Sequence, residues 1–245
     1  NSVTNIVGGS SYGIYMQNTN SGKLFSNILK NISSLRYVST GFYFKNVNLT
    51  KIIQNKIMRI ESAGTQLFGL NFISSKSNSV IDNSFSSSDT GRGINFIEES
   101  DLNTIFHNNF LNGLNTSYDN GFNFWYNNSS YEGNYWQGHY CMGNPSDGSY
   151  PYSIDGGSNI DKYPYERENG WIPNKIPITS FNIEPELLLT NENVYFNSTS
   201  LDLDGSIANW TWDFGDGNTS YGENVTHEYK DDGYYEVNLT VTDDL

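Results

Sequence analysis

The sequence predicts an all-β chain in two parts, a parallel β-helix and then a small antiparallel β-sandwich. Three observations carry this. The 245 residues include 35 Asn but only two Ala, Ala63 and Ala208, and Ala is the best helix former while Asn competes with helix through local backbone bonds. The first half repeats a glycine-led apolar motif. The second half has short alternating apolar runs separated by Asp-Gly and Asn-Gly-type turns, the pattern of a small antiparallel sandwich. Aromatic residues at 15% argue against disorder.

The repeat reads Gly13-Ile14-Tyr15-Met16, Gly41-Phe42-Tyr43-Phe44, Gly69-Leu70-Asn71-Phe72, Gly93-Ile94-Asn95-Phe96 and Gly121-Phe122-Asn123-Phe124, at spacings of 28, 28, 24 and 28. A second column, Asn27, Asn55, Asn83 and Asn108, follows the first four glycines by 14, 14, 14 and 15 residues. Each Asn has an apolar residue two positions before it (Phe25, Ile53, Ile81, Phe106) and another two after it (Leu29, Ile57, Phe85, Phe110). Alternation on an extended chain points all of these inward, giving two strands per repeat. Such a unit buries its apolar side only by stacking on its neighbours. The Asn column then forms a structural ladder of amides, each Asn sitting in a bend where it tolerates a left-handed backbone. A leucine-rich repeat would need an apolar residue five before each Asn, where this chain has Gly22, Thr50, Asn78 and Asn103. A propeller blade would need about 40 residues per repeat.

These repeats resemble those of NosD-like and carbohydrate-active proteins, which implies a right-handed parallel β-helix over residues 1–136. Gly133-Asn134-Tyr135-Trp136 and the run from Ile154 to Pro164, IDGGSNIDKYP, resemble the closing segment of archaeal NosD-like surface proteins. Residues 137–170 are therefore expected to cap the last coil, whose open edge would otherwise invite pairing.

Residues 171–177, with two prolines in WIPNKIPI, suit a short stiff linker. Beyond it, Asp202-Leu203-Asp204-Gly205-Ser206, Trp212-Asp213-Phe214-Gly215-Asp216-Gly217, Thr226-His227-Glu228-Tyr229 and Val237 through Asp244 resemble a PKD domain in order and spacing. That resemblance implies an immunoglobulin-like sandwich over residues 178–245, an extracellular spacer or adhesive module without catalysis. Family members continue into a final strand where this sequence reaches Leu245, so the expected sandwich lacks its last strand, to be supplied by further sequence or by a neighbouring molecule.

The net charge of −14 is uneven: residues 1–136 balance at +1 and residues 137–245 at −15. An acidic half makes nucleic acid or an anionic membrane surface a poor partner. No stretch approaches the roughly 18 consecutive apolar residues of a membrane helix. The chain begins inside a repeat, so its first residue is read as a cut. N-glycosylation sequons stand at Asn31, Asn48, Asn115, Asn127, Asn128, Asn197, Asn209, Asn218, Asn224 and Asn238. Five of them fall between Asn197 and Asn238, which favours an extracellular, cell-surface location and covalent N-glycans.

Catalytic β-helices cluster carboxylates, but residues 1–136 hold only eight, none repeated in one column. Asp82 and His107 occupy equivalent positions before the ladder Asn and are read as a structural pair across coils rather than an acid–base dyad. His139, Cys141 and Met142 gather soft ligands of the kind Cu(I) accepts, although a buried Cys and Met under the cap is the plainer reading. Asp202, Asp204 and Asp213 are of the type Ca²⁺ accepts, although turn-forming Asp is the plainer one. No cofactor is expected, with calcium possible. The expected function is a non-catalytic structural or adhesive surface glycoprotein, a component of a surface layer, sheath or filament that associates with itself or with other surface proteins. The alternatives are a polysaccharide-binding or polysaccharide-degrading β-helix, lyase or hydrolase, and a NosD-like copper-handling protein.

Overall fold

The computed structural model describes residues 1–64, 66–185, 190–203 and 206–244. It divides into two compact units, Asn1–Ile172 and Pro173–Leu245. No helix among the described residues is long and apolar enough to cross a membrane.

The first unit is a parallel β-helix whose coils contribute strands to three sheets of six, five and four strands. Face A contains Ser2–Gly8, Ile28–Ser34, Lys56–Ser62, Ser84–Ser86, Asn109–Phe110 and Tyr135–Trp136. Face B contains Ser11–Asn20, Val38–Asn48, Gln66–Ile73, Arg92–Ile97 and Tyr118–Asp119, and face C contains Lys23–Phe25, Lys51–Ile53, Ser79–Ile81 and Thr104–Phe106.

A coil thus has three strands where the alternation predicts two. The strand expected around each ladder Asn is broken at the Asn into a face C strand and a face A strand. The residue just before each Asn, not the Asn itself, takes the left-handed conformation: Ser26, Gln54, Asp82 and His107 have φ of 50°, 55°, 57° and 56°. One left-handed residue turns the chain and shifts the alternation by one position. The inward column of face C is therefore Leu24, Ile52, Val80 and Ile105, of which Leu24 is half-buried and the other three fully buried. Phe25, expected to point inward, is 49% exposed, and Ile53, Ile81 and Phe106 are only partly covered.

On face A the inward column runs Leu29, Ile57, Phe85, Phe110 and Trp136 in register. On face B it runs Ile14, Phe42, Leu70 and Ile94, with Met16, Phe44, Phe72 and Phe96 beside it. Full burial of each such side chain stabilises by about 1.5–3 kcal/mol. The motif glycines within the face B strands face the same core. A Cβ on Gly41 would lie 2.6 Å from the carbonyl oxygen of Gly69, and one on Gly69 2.5 Å from that of Gly93.

The fifth glycine motif departs from the predicted register. The fifth strand of face B is Tyr118–Asp119, paired with Asn95 and Phe96, so Gly121-Phe122-Asn123-Phe124 does not continue that column. Phe124 bridges Thr104 on face C, and Phe122 and Phe124 are exposed. The last coil is shorter, and the recurrence of a glycine at 28 residues there is coincidental. Aromatic rings close the core. Trp136 stacks on Phe110 at 3.9 Å between centroids, Tyr152 stacks on Trp136 at 4.0 Å, and Trp125 packs edge-on against Phe96.

The second unit is a β-sandwich. Asn193–Ser198 lies between Phe181–Glu184 and Asn224–Glu228 in one sheet, and Ile207–Asp213 lies between Thr219–Tyr221 and Asn238–Asp243 in the other, all antiparallel. Val194, Phe196, Trp212, Phe214, Tyr229 and Leu239 form its core. The expected stop before a final strand falls at Leu245, outside the described residues.

Candidate functional site

The outward side of face B carries a column in strict register: Tyr15, Tyr43, Asn71, Asn95 and Tyr118. Two short amides between tyrosines leave a depression, and Arg92, Phe68 and Tyr12 form its flank, in a groove of about 550 Å³. The Tyr15 and Tyr43 rings stack at 5.0 Å with planes 9° apart, and Tyr12 packs edge-on against Tyr43 at 4.9 Å. On the groove floor Asn95 Nδ2 donates to Asn71 Oδ1 at 2.8 Å, and Arg92 Nη1 donates to Asn95 Oδ1 at 3.0 Å. The Arg92 guanidinium lies over the Tyr118 ring, 4.4 Å from its centroid. Among the described lining residues none is Asp, Glu, His or Cys.

The carboxylates buried in this unit are used elsewhere. Asn27, Asn55, Asn83 and Asn108 form a ladder in which each donates both its backbone N–H and its side-chain amide to the next Oδ1, at 2.9–3.1 Å. It continues through Asn134 to Asp161 Oδ2, which accepts from Asn134 N at 2.7 Å, Asn134 Nδ2 at 3.1 Å and Trp136 Nε1 at 2.8 Å. A second ladder occupies the column set against a leucine-rich repeat. Thr50 N donates to Asn78 Oδ1, Asn78 to Asn103, Asn103 to Asn123 and Asn123 Nδ2 to Asp119 Oδ1, at 2.8–2.9 Å. Its signal was present in the sequence as polar residues at one repeat position. Both terminal aspartates are fully buried. Burial pushes Asp161 up to about 7, against the pull of Trp136, Asn134 and the Tyr163 N–H. Burial raises Asp119 likewise, against Trp125, Asn123 and the Gly121 N–H.

His107 meets Asp82 across the coils, Nδ1 to Oδ1 at 3.5 Å. The structure adds partners that spacing did not indicate. Glu132 Oε2 lies 3.4 Å from Nε2, the Tyr165 hydroxyl lies 3.3 Å from the same nitrogen, and Trp171 stacks on the imidazole at 5.1 Å with planes 1° apart. The cluster ties the corner of a coil to the segment that follows it. Trp171, the first residue of the expected linker, belongs to this packing.

Of the soft-ligand candidates, Cys141 is buried with its Sγ on the Pro164 carbonyl at 3.6 Å, and burial pushes its thiol up to about 11. His139 Nε2 lies 2.9 Å from the Tyr150 carbonyl oxygen, and Met142 is exposed. A protonated thiol and an imidazole engaged with different carbonyls do not make a copper site. Asp213 caps a turn, accepting from the Gly215 N–H at 3.0 Å, and Asp204 lies outside the described residues. Among the described residues no group of three or more His, Cys, Asp or Glu could hold a metal. Asp216 instead pairs with His227 Nε2 at 2.8 Å, and that imidazole stacks on Phe214.

The sequons differ in how their amides are engaged. Asn31 Nδ2 donates to Asn5, Asn48 Nδ2 to Asn20 and Asn115 Nδ2 to the Gln137 carbonyl, at 2.9, 3.1 and 3.1 Å. Asn209 Nδ2 donates to Thr242 at 3.3 Å and Asn218 Nδ2 to Asp216 at 3.0 Å. Asn127 Oδ1 accepts from the Ser129 N–H at 3.0 Å. Asn128, Asn224 and Asn238 are exposed, while Asn197 is half-buried opposite Asn224.

Residues 1–145 match the family model described as periplasmic copper-binding protein (NosD). The chain belongs to the NosD family. Residues 174–245 match the model of the PKD domain, so this NosD-family chain carries a PKD domain after its β-helix. It is 39% identical over 93 residues to the pre-pro-metalloprotease PrtV of Vibrio cholerae serotype O1, covering 36% of this chain and 10% of that protein. With the collagenase ColA of Clostridium perfringens it shares 40% identity over 70 residues, 29% of this chain and 6% of that one. The chain thus spans a tenth or less of these curated relatives. The crystal structure of the PKD1 domain of Vibrio anguillarum Epp is 33% identical, covering 29% of this chain and 81% of that one, with a TM-score of 0.26. The family's description names copper, and among the described residues the candidate donors His139, Cys141 and Met142 of this NosD-family chain do not fit it.

Proposed function

We propose that this chain is a non-catalytic structural or adhesive module on the extracytoplasmic side, a component of a surface layer, sheath or filament. The observation that carries the reading is the face B groove. It is lined by aromatic, aliphatic and amide side chains and one arginine, with no carboxylate among the described lining residues. Hydrolysis or elimination on a sugar needs a positioned acid or base at the reacting bond, and the buried carboxylates Asp119 and Asp161 are instead held at ladder ends. The β-helix supplies a rigid body with side chains displayed at fixed spacing, and the PKD domain supports an extracytoplasmic setting.

The test is a screen of the purified chain against neutral and acidic polysaccharides, with and without divalent cations, read as reducing ends and as unsaturated products. The expected result is no turnover. Saturable product release by the chain would overturn the proposal.

A further inference from the structure

We infer that the outer side of faces C and A in the first coils docks the loop 231–236 of a second copy of this chain. The inference rests on the assembly reading above, and gives that assembly a partner and a contact surface. Charge is the first argument. Residues 1–60 carry seven Lys and Arg and no Asp or Glu, whereas residues 173–245 carry two Lys against 14 Asp and Glu. One chain thus holds both halves of a complementary pair, and opposite fields steer encounter and fix orientation. None of the seven cations lies within ion-pair distance of a described carboxylate, whereas Lys76, a coil further on, has both Glu99 and Asp101.

The second argument is the make-up of the basic surface. Lys23 pairs with Lys51 and Phe25 with Ile53 on face C, and Ile28 pairs with Lys56 on face A, just past the ladder corner. Their chain neighbours Leu24, Ile52, Leu29 and Ile57 point inward, so alternation turns all six outward. Phe25 and Ile28 are 49% and 41% exposed, and Lys23 Nζ lies 4.9 Å from the Phe25 ring centroid. Apolar side chains therefore stand among unpaired ammonium groups. A nucleic acid would leave them uncovered, and the net charge of −14 repels it.

The third argument is the loop. Tyr235 stacks on Tyr229 at 4.2 Å, its hydroxyl donates to the Asp231 carbonyl at 2.8 Å, and Thr190 Oγ1 donates to Asp232 Oδ1. A loop held in this way loses little freedom on docking. Tyr234 between these anchors is fully exposed, and Asp231, Asp232 and Glu236 beside it are exposed as well. A tyrosine among carboxylates supplies the apolar contact that Phe25 and Ile28 lack and the negative charge that Lys23, Lys51 and Lys56 lack. Because the basic surface and the loop are different parts of the chain, the contact is heterologous, so each docked copy still offers one free half and further copies add.

The experiment is sedimentation velocity of the full chain over a wide concentration range, at low salt and at about 1 M salt, where the screening length is about 3 Å. Oligomers that grow with concentration at low salt and return to monomer at high salt are expected. Tyr234→Ala should weaken association about thirtyfold or more, the loss typical of a central interface tyrosine. Lys51→Glu and Asp231→Lys should each weaken it as well, and melting temperatures establish that every variant is folded. An equimolar mixture of those two charge variants should associate again, because the unaltered basic surface of one meets the unaltered loop of the other. A chain that stays monomeric at every concentration, or oligomers indifferent to salt, to Tyr234→Ala and to Lys51→Glu, would overturn the inference. Monomers that bind poly-glutamate through Lys51 would assign the surface to a foreign polyanion and overturn it too. Salt-sensitive association together with product release in the polysaccharide screen would support the contact and instead overturn the non-catalytic reading.

Discussion

Asn134 gives both its backbone N–H and its side-chain amide to Asp161 Oδ2, at 2.7 and 3.1 Å. Every earlier rung passes the same two donors forward, so the ladder arrives at its last coil with donors and needs an acceptor with nothing to donate in turn. A carboxylate meets that need. The amide dipoles also align with their positive ends toward it, as peptide dipoles do at a helix N-terminus. The second ladder ends the same way, with Asn123 Nδ2 on Asp119 Oδ1 at 2.8 Å.

Replacing Asp161 by Ala leaves the Asn134 backbone N–H and the Trp136 indole N–H buried without their acceptor, while the Asn134 amide keeps the Trp125 and Ile105 carbonyls. The expected loss is on the order of 3 kcal/mol or more, read as a lower urea midpoint of the β-helix transition. Asp161→Asn, which keeps an acceptor oxygen, should lose less. An Ala variant as stable as the parent would contradict the role given to this residue.

The same carboxyl makes stability depend on pH. Because burial raises Asp161 to about 7 in the folded chain, the folded state holds a proton that the unfolded state releases near pH 4. Between those values the folded state binds more protons, so stability falls as pH rises from about 4 to about 7 and levels off above. Urea unfolding at stepped pH checks this, and Asp161→Asn should flatten that part of the profile.

The glycine column is a steric requirement. A Cβ on Gly69 would lie 2.5 Å from the Gly93 carbonyl oxygen and 2.8 Å from Phe85 Cδ1. Gly69→Ala should destabilise by about 1–3 kcal/mol, the usual cost of overpacking. Gly9→Ala, where an added Cβ meets nothing within 4 Å, is the control and should unfold with the parent. Equal midpoints for all three would dispose of the steric account.

Glycan placement follows from which sequon amides are already bonded. In a glycosylating secretory host, glycopeptide mass spectrometry should find sugar on Asn128, Asn224 and Asn238, which are exposed. Asn31, Asn48 and Asn115 should remain bare, because a glycan on Nδ2 competes with bonds already made to Asn5, Asn20 and Gln137. Occupancy in the reverse order would argue against the packing of these outer amides.

The sequence by itself determined the fold class, the repeat and the inward Leu29, Ile57, Phe85 and Phe110, because a stacked coil repeats its chemistry at one spacing. It also marked Asn27 through Asn108 as one column. Tertiary structure decided what periodicity does not encode. One left-handed residue before each Asn shifted the alternation, so Leu24, Ile52, Val80 and Ile105 became the core and Phe25 faced out. The shortened last coil moved Gly121 off its expected sheet. Of the aspartates closing the ladders, Asp161 comes from beyond the coils and Asp119 takes the register position of Phe96 on face B, and Glu132, Tyr165 and Trp171 reach His107 from the segment that follows. The groove on face B was hidden for the same reason. Tyr15, Tyr43, Asn71, Asn95 and Tyr118 stand in five separate coils, and only parallel register, set by stacking, brings unlike residues into one surface.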